Sequence, residues 1–79
     1  MKTAEASIPH EVVKMNVIEG VPMVKAWRVY LKLTQAEVAK RATITQAALS
    51  QIEKPGAKPH KDTLKKLAQV LGLVLAQME

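Results

Sequence analysis

The sequence predicts an all-α domain of five short helices, and three observations carry that expectation. The apolar share of 48% consists of Ala, Val, Leu, Ile and Met, with no Phe, one Trp and one Tyr. Aliphatic side chains of this kind favour helix-on-helix packing over an all-β core. Apolar residues recur three and four apart in five stretches, the period of a helix with one buried face. Pro, Gly and Thr stand between those stretches, where helices start and stop. A chain of 79 residues suffices for one domain with a modest core, and a second copy would enlarge that core.

Residues 1–7 are small and polar and read as a flexible tail, leaving a single domain over 8–79. Pro9 suits the first turn of a helix running to about Glu19, with Val12, Val13, Val17 and Ile18 recurring at helical spacing and Gly20 as its stop. Pro22 opens a second helix, roughly 22–31, whose stripe is Met23, Val24, Trp27, Tyr30 and Leu31. The third start is the clearest. Thr34-Gln35-Ala36-Glu37 is a capping box, in which the Thr hydroxyl and the Glu carboxylate satisfy amides reciprocally. Val38, Ala39 and Ala42 continue that helix, and Thr43 breaks it. Thr45 caps a fourth helix holding Ala48, Leu49 and Ile52. Lys54-Pro55-Gly56-Ala57-Lys58-Pro59 is a loop, because two prolines and a glycine interrupt it. A fifth helix starts between His60 and Asp62, presents Leu64, Leu67, Ala68 and Leu71, and meets Gly72. The apolar tail from Leu73 to Met78 reads either as a short C-terminal strand or as one more helical turn. Neither form hides so much apolar surface alone, which makes the tail a candidate homodimer contact; the first helix is the other.

Composition narrows the function. Twelve Lys plus Arg against seven Asp plus Glu give a net charge of +5 and a pI near 9.8. Such a domain is attracted to polyanions, although basic charge alone also suits an ordinary solvated protein. The absence of Cys excludes disulfides and Cys-based zinc sites. No apolar run approaches the ~20 residues of a membrane span, and Lys2 is not followed by the apolar stretch of a signal peptide. The expected location is the cytoplasm. No Ser–His–Asp set or phosphate-cradling glycine loop is visible, His10 and His60 lack acidic or Cys company, and Asp62 is the only Asp. No enzyme, no metal site and no cofactor are expected.

The chemistry concentrates in residues 33–53, where two short helices, roughly 34–42 and 45–53, flank a tight turn. Their crossing needs a small residue in the first, supplied by Ala39, and apolar contacts, supplied by Val38, Ile44, Leu49 and Ile52. The second helix keeps a polar, short-chained face of Thr45, Gln46, Ala47, Ser50 and Gln51. Such a face suits the DNA major groove, where Gln pairs bidentately with adenine and Ala or a Thr methyl touches the thymine methyl. Ordinary solvation would explain the same residues. The lysines at 54, 58, 61, 65 and 66 are opposed only by Asp62 and suit phosphate contacts that position without reading sequence.

The run Leu33-Thr34-Gln35-Ala36-Glu37-Val38-Ala39-Lys40-Arg41-Ala42-Thr43-Ile44-Thr45-Gln46-Ala47-Ala48-Leu49-Ser50-Gln51-Ile52-Glu53 resembles the Cro/C1-type (XRE) helix-turn-helix of lambdoid phage repressors and related bacterial regulators. With Thr63-Leu64-Lys65-Lys66-Leu67-Ala68 and Leu71-Gly72, the resemblance covers about residues 23–73. It implies a lambda-repressor-like domain that represses transcription by binding a double-stranded operator as a homodimer. It implies base reading by Thr45, Gln46, Ala47, Ser50 and Gln51. Phosphate contacts fall to Thr34 and Gln35, which also braces the recognition helix, and to Lys54, Lys58, Lys61 and Lys65. Arg28 matches an arginine that pairs with the glutamate at Glu53, tying the helix before the motif to its end. One departure is Thr43, where the family usually has Gly; a left-handed residue there costs roughly 1 kcal/mol.

The chain leaves no room for a ligand-sensing domain, which points to small repressors, Cro-like proteins and antitoxins. Segment 8–32, from Ile-Pro-His-Glu-Val-Val to Met-Val-Lys-Ala-Trp-Arg, is similar to the N-terminal region of XRE-type antitoxins encoded beside RelE/ParE-class toxins. That similarity implies autorepression of a toxin–antitoxin operon and a toxin contact mainly within residues 1–24. A phage- or plasmid-type repressor without a toxin is the alternative, and a protein-interaction module that has lost DNA binding is another.

Overall fold

The computed structural model describes residues 7–78, so the tail expected at 1–7 lies, except for Ser7, outside the described residues. Helix α1 (His10–Val13) runs into a π-helical segment (Lys14–Ile18). Helices α2 (Met23–Tyr30), α3 (Gln35–Ala42), α4 (Gln46–Ile52) and α5 (Lys61–Leu71) follow, and a 3₁₀ turn (Leu75–Gln77) closes the described chain. The described residues contain no strand. The fold is all-α, as the aliphatic composition and helical spacing predict.

Pro9 and Pro22 each stand one residue before a helix, with φ near −57° and ψ near 147°. Their carbonyls accept the first helical amides, Val12 and Val13 for Pro9 and Ala26 for Pro22. The first segment departs from its expected periodicity. After Val13 the Glu19 amide bonds the Lys14 carbonyl, five residues back. Val12 is fully buried, whereas Val13, Val17 and Ile18 are exposed; at the α-helical period Val17 and Ile18 already fall about 140° and about 120° from Val12, so the four positions share no single face. Gly20 takes a φ of +71° and turns the chain, and the Asn16 side-chain amide donates to the Val21 carbonyl at 2.9 Å to hold that turn.

The core gathers one face from each helix. Val24, Ala26 and Trp27 of α2, Val38, Ala39 and Ala42 of α3, Leu49 of α4, and Leu67, Ala68 and Leu71 of α5 join Val12 and Met78. Helix α3 lies at the centre, packed against both α4 and α5. Its alanines and Ala68 leave room for neighbouring backbones. Tyr30 and Leu31 sit at the edge of the α2 stripe and are more than a third exposed. Ala48, expected among the apolar positions of α4, is exposed. Helix α2 ends on Lys32 with φ +60°, and the Leu33 amide reaches back to the Arg28 carbonyl at 3.1 Å. This closure normally uses Gly, so the sequence held no sign of it.

Of the two forms open to it, the tail takes the helical turn, in 3₁₀ form, and not the strand. It also buries part of its apolar surface within its own chain: Met78 joins the core, Leu73 and Leu75 are half-buried, and only Val74 and Ala76 stand exposed. Gln77 is 7% exposed and explains the turn. Its Nε2 donates to the Ser7 carbonyl at 2.7 Å, and its Oε1 accepts the Val74 amide at 3.0 Å. Its own carbonyl accepts the Trp27 indole N–H at 2.8 Å. One glutamine therefore clasps both ends of the described chain to the central tryptophan.

Gln77→Leu leaves the Val74 amide and the Ser7 carbonyl without partners. The expected loss is about 1–3 kcal/mol, or about 4–8 °C of melting temperature per kcal/mol in a domain of this size. Thermal unfolding followed by circular dichroism measures it, and an unshifted midpoint would remove the clasp from the account.

Candidate nucleic-acid interface

Residues 34–53 are organised by local hydrogen bonds before any tertiary contact. Thr34 Oγ1 accepts the Glu37 amide at 3.1 Å, and Glu37 Oε1 accepts the Thr34 amide at 2.8 Å, completing the capping box of α3. The Thr34 amide, the Thr34 hydroxyl and the charge of Arg41 hold the Glu37 carboxyl below its ordinary value of 4.5. A lowered folded-state pKa stabilises the fold above the unfolded value and ceases to do so as the pH falls through the lowered one. Helix α3 ends on Thr43, at φ 59° and ψ 42°, with the Ile44 amide bonded to the Ala39 carbonyl at 3.0 Å. Thr43 thus adopts the left-handed conformation that the missing glycine would have supplied. Two residues later Thr45 starts α4, its Oγ1 accepting the Ala48 amide at 3.0 Å.

Helix α4 divides into two faces. Leu49 is fully buried and Ile52 half-buried against the core. On the other side Gln46, Ala47 and Gln51 are exposed and Ser50 is half-buried. Positions 46 and 50, and 47 and 51, are four apart, so the four residues form one strip. Thr45 is exposed at the head of that strip, but its oxygen is occupied as the helix cap.

Behind the strip lies a chain of polar contacts. Glu53, which closes α4, is buried, with 2% of its side chain exposed. Arg28 of α2 donates from Nε to Glu53 Oε2 at 2.7 Å and from Nη2 to Oε1 at 3.0 Å. Its third nitrogen, Nη1, donates to the Leu33 carbonyl at 2.9 Å. Gln35, the first residue of α3, donates from Nε2 to Glu53 Oε1 at 3.0 Å. Gln35 Oε1 in turn accepts Gln46 Nε2 at 3.4 Å, a long bond. One amide N–H and the Oε1 of Gln46 therefore remain free for a bidentate partner. Among the described residues no buried side-chain nitrogen or oxygen lacks a partner.

Lys54, Lys58, Lys61 and Lys65 are all exposed and make no ion pair among the described residues. His60 caps α5, its Nδ1 accepting the Asp62 amide at 3.2 Å. The structure therefore brings Thr34, Gln35 and the α4 strip together around one helix pair, with the lysines in the loop and helix that follow. Sequence reasoning missed the Leu33 carbonyl as a third partner of Arg28. It also missed Gln77, whose only signal was a polar residue inside an apolar run.

A family model described as helix-turn-helix matches residues 24–75, about two thirds of the chain, and includes the whole of α2 to α5 except Met23. No curated protein and no solved structure matches the chain.

Arg28→Ala leaves Glu53 buried and charged with one donor, at an expected cost of about 3–5 kcal/mol. Arg28→Met combined with Glu53→Leu removes both charges and should cost much less than Arg28→Ala alone. Comparing urea midpoints of the two variants checks this, and equal destabilisation would show that the ion pair is not what holds α4.

Proposed function

Because this chain belongs to the XRE-type helix-turn-helix family of DNA-binding transcription regulators, we propose that it is a sequence-specific repressor that acts as a homodimer on its own operon. Residues 8–79 work as one DNA-binding unit, in the cytoplasm, where a bacterial operator lies. Helix α4 enters the major groove and reads bases with Thr45, Gln46, Ala47, Ser50 and Gln51. Thr34, Gln35, Lys54, Lys58, Lys61 and Lys65 contact phosphates and fix the register.

The observation that carries this reading is the exposed strip of α4 backed by the Gln35–Glu53–Arg28 contacts. A strip that merely faced solvent would not need its first glutamine bonded to a buried carboxylate through a second glutamine. The unpaired lysines add a sequence-independent attraction that weakens with salt. A gel shift with the intergenic DNA upstream of the gene tests the reading. Specific retardation supports it, and binding indistinguishable from random DNA refutes it.

The finer role is that of antitoxin, supported by the similarity of segment 8–32 to antitoxins encoded beside RelE/ParE-class toxins. The toxin contact falls mainly within residues 1–24, outside the recognition helix in sequence. Co-expression with the neighbouring gene product and pull-down tests this role. A neighbour that is harmless, or toxic but never copurified, removes it and leaves a repressor without a toxin.

Gln46→Ala should cost about 1–3 kcal/mol on the cognate site and relax preference at one base position. Equal losses on cognate and random DNA would exclude Gln46 as a reader. Lys58→Ala or Lys65→Ala should weaken all sequences alike and reduce the slope of log affinity against log salt by about 1.

A further inference from the structure

Two apolar surface features lie close together along the chain. The first is a knob made by Val17 and Ile18, 72% and 73% exposed at the end of the π segment. They are the most exposed large apolar side chains among the described residues. The second is a groove of about 280 Å³ whose walls include Met23, Ile52, Ala57, Pro59, Leu64 and Met78. Gly20 belongs to the same walls, two residues from Ile18. Knob and groove are therefore separated by no more than about 7.6 Å of backbone. Ile18 nevertheless stays in solvent.

We propose that this surface is the homodimer interface. The Val17–Ile18 knob of one copy seats in the groove of the other, and a two-fold axis repeats the contact in reverse. The inference rests on the reading of the chain as a dimeric DNA-binding protein. Three observations select a second copy as the occupant.

A knob beside a matching groove on one chain is the self-complementary patch that a two-fold contact requires. The groove is at the small end of sites that enclose organic ligands and suits an aliphatic side chain better than a larger molecule.

Charge points the same way. Each copy carries +5, so two copies repel unless acid meets base. The segment bearing the knob holds exposed Glu11, Lys14 and Glu19, a net acidic set, with Glu19 next to Ile18. The loop that walls the groove carries exposed Lys54 and Lys58, and Lys61 follows. Seating Ile18 in the partner groove brings Glu19 into the positive field of that loop without taking any of these lysines from a phosphate.

Position is the third argument. Ile52 lies in the last turn of α4, and the loop residues Gly56, Ala57 and Pro59 come directly after it. Gln46, Ala47 and Gln51 do not line the groove, so a contact there leaves the reading strip to DNA. Met78 takes part as groove wall, which reassigns the dimer role expected of the whole tail.

Sedimentation equilibrium of the full chain, from micromolar to millimolar concentration, is the test. The wild type should reach twice the monomer mass. Ile18→Glu and Ala57→Arg should each raise the dimer dissociation constant by about tenfold or more, as loss of a central apolar anchor does, with the helical dichroism of the wild type retained. The chain has no cysteine, so Ile18→Cys and Ala57→Cys proteins can be mixed and treated with a bismaleimide. A cross-linked pair is expected. A wild type that stays monomeric, or a dimer indifferent to both substitutions, overturns the interface. So does an Ile18→Glu protein that loses only its capture of the neighbouring gene product while keeping its mass. A dimer that ignores operator DNA supports the interface and counts against the DNA reading. A monomer that shifts operator DNA specifically overturns the interface and leaves that reading standing.

Discussion

The buried carboxylate of Glu53 is the constraint on which the rest of the arrangement depends. A carboxylate with 2% of its side chain exposed is unfavourable unless donors replace its water. Here they come from two other helices. Arg28 brings two nitrogens from α2 and Gln35 brings one from the start of α3. Glu53 itself ends α4, so three helices converge on one group. The aliphatic core of Leu49, Val38 and Leu67 drives association, but apolar burial is non-directional. A bidentate arginine–carboxylate pair has a defined plane and direction, and it sets the angle at which α4 leaves the body.

That angle is compatible with a tight turn only because the elements around it are small or unusually bent. Ala39 and Ala42 of α3 are buried and let the neighbouring helices approach its backbone. Thr43 and Lys32 both accept positive φ, which costs an L-residue of this kind roughly 1–2 kcal/mol. Each closes a helix by returning the next amide to a carbonyl five residues earlier. The strain sits on either side of α3, which packs against both α4 and α5.

The parts legible in the sequence were those governed by near neighbours. The capping box of Thr34 and Glu37 and the Thr45 cap act over three residues, so their partners stand in the same short string. The start of α5 at His60 and its end at Gly72 are equally local. The Arg28–Glu53 contact spans 25 residues and was legible only through resemblance, since nothing in either residue's surroundings names the other. Val17 and Ile18 stand five and six residues after Val12, so no helical period brings them to its face, and their apolar character gave no sign of which side would be covered. Lys32 gave no warning of its left-handed conformation because no glycine marks it. Gln77 was visible as a polar residue in an apolar tail, yet its meaning depends on Ser7, 70 residues away.

By itself, then, the sequence determined the helices, most of their ends and the polar strip of α4, because caps and periodicity are interactions within one or two turns. Tertiary structure alone decided which polar side chains would be buried together and which apolar ones left outside. Glu53 and Gln77 became buried because donors and acceptors from distant parts of the chain arrive to satisfy them, and Ile18 stays exposed because no described element packs over its side of the first segment. Burial of a polar group is a property of all its neighbours at once, and no local pattern encodes it.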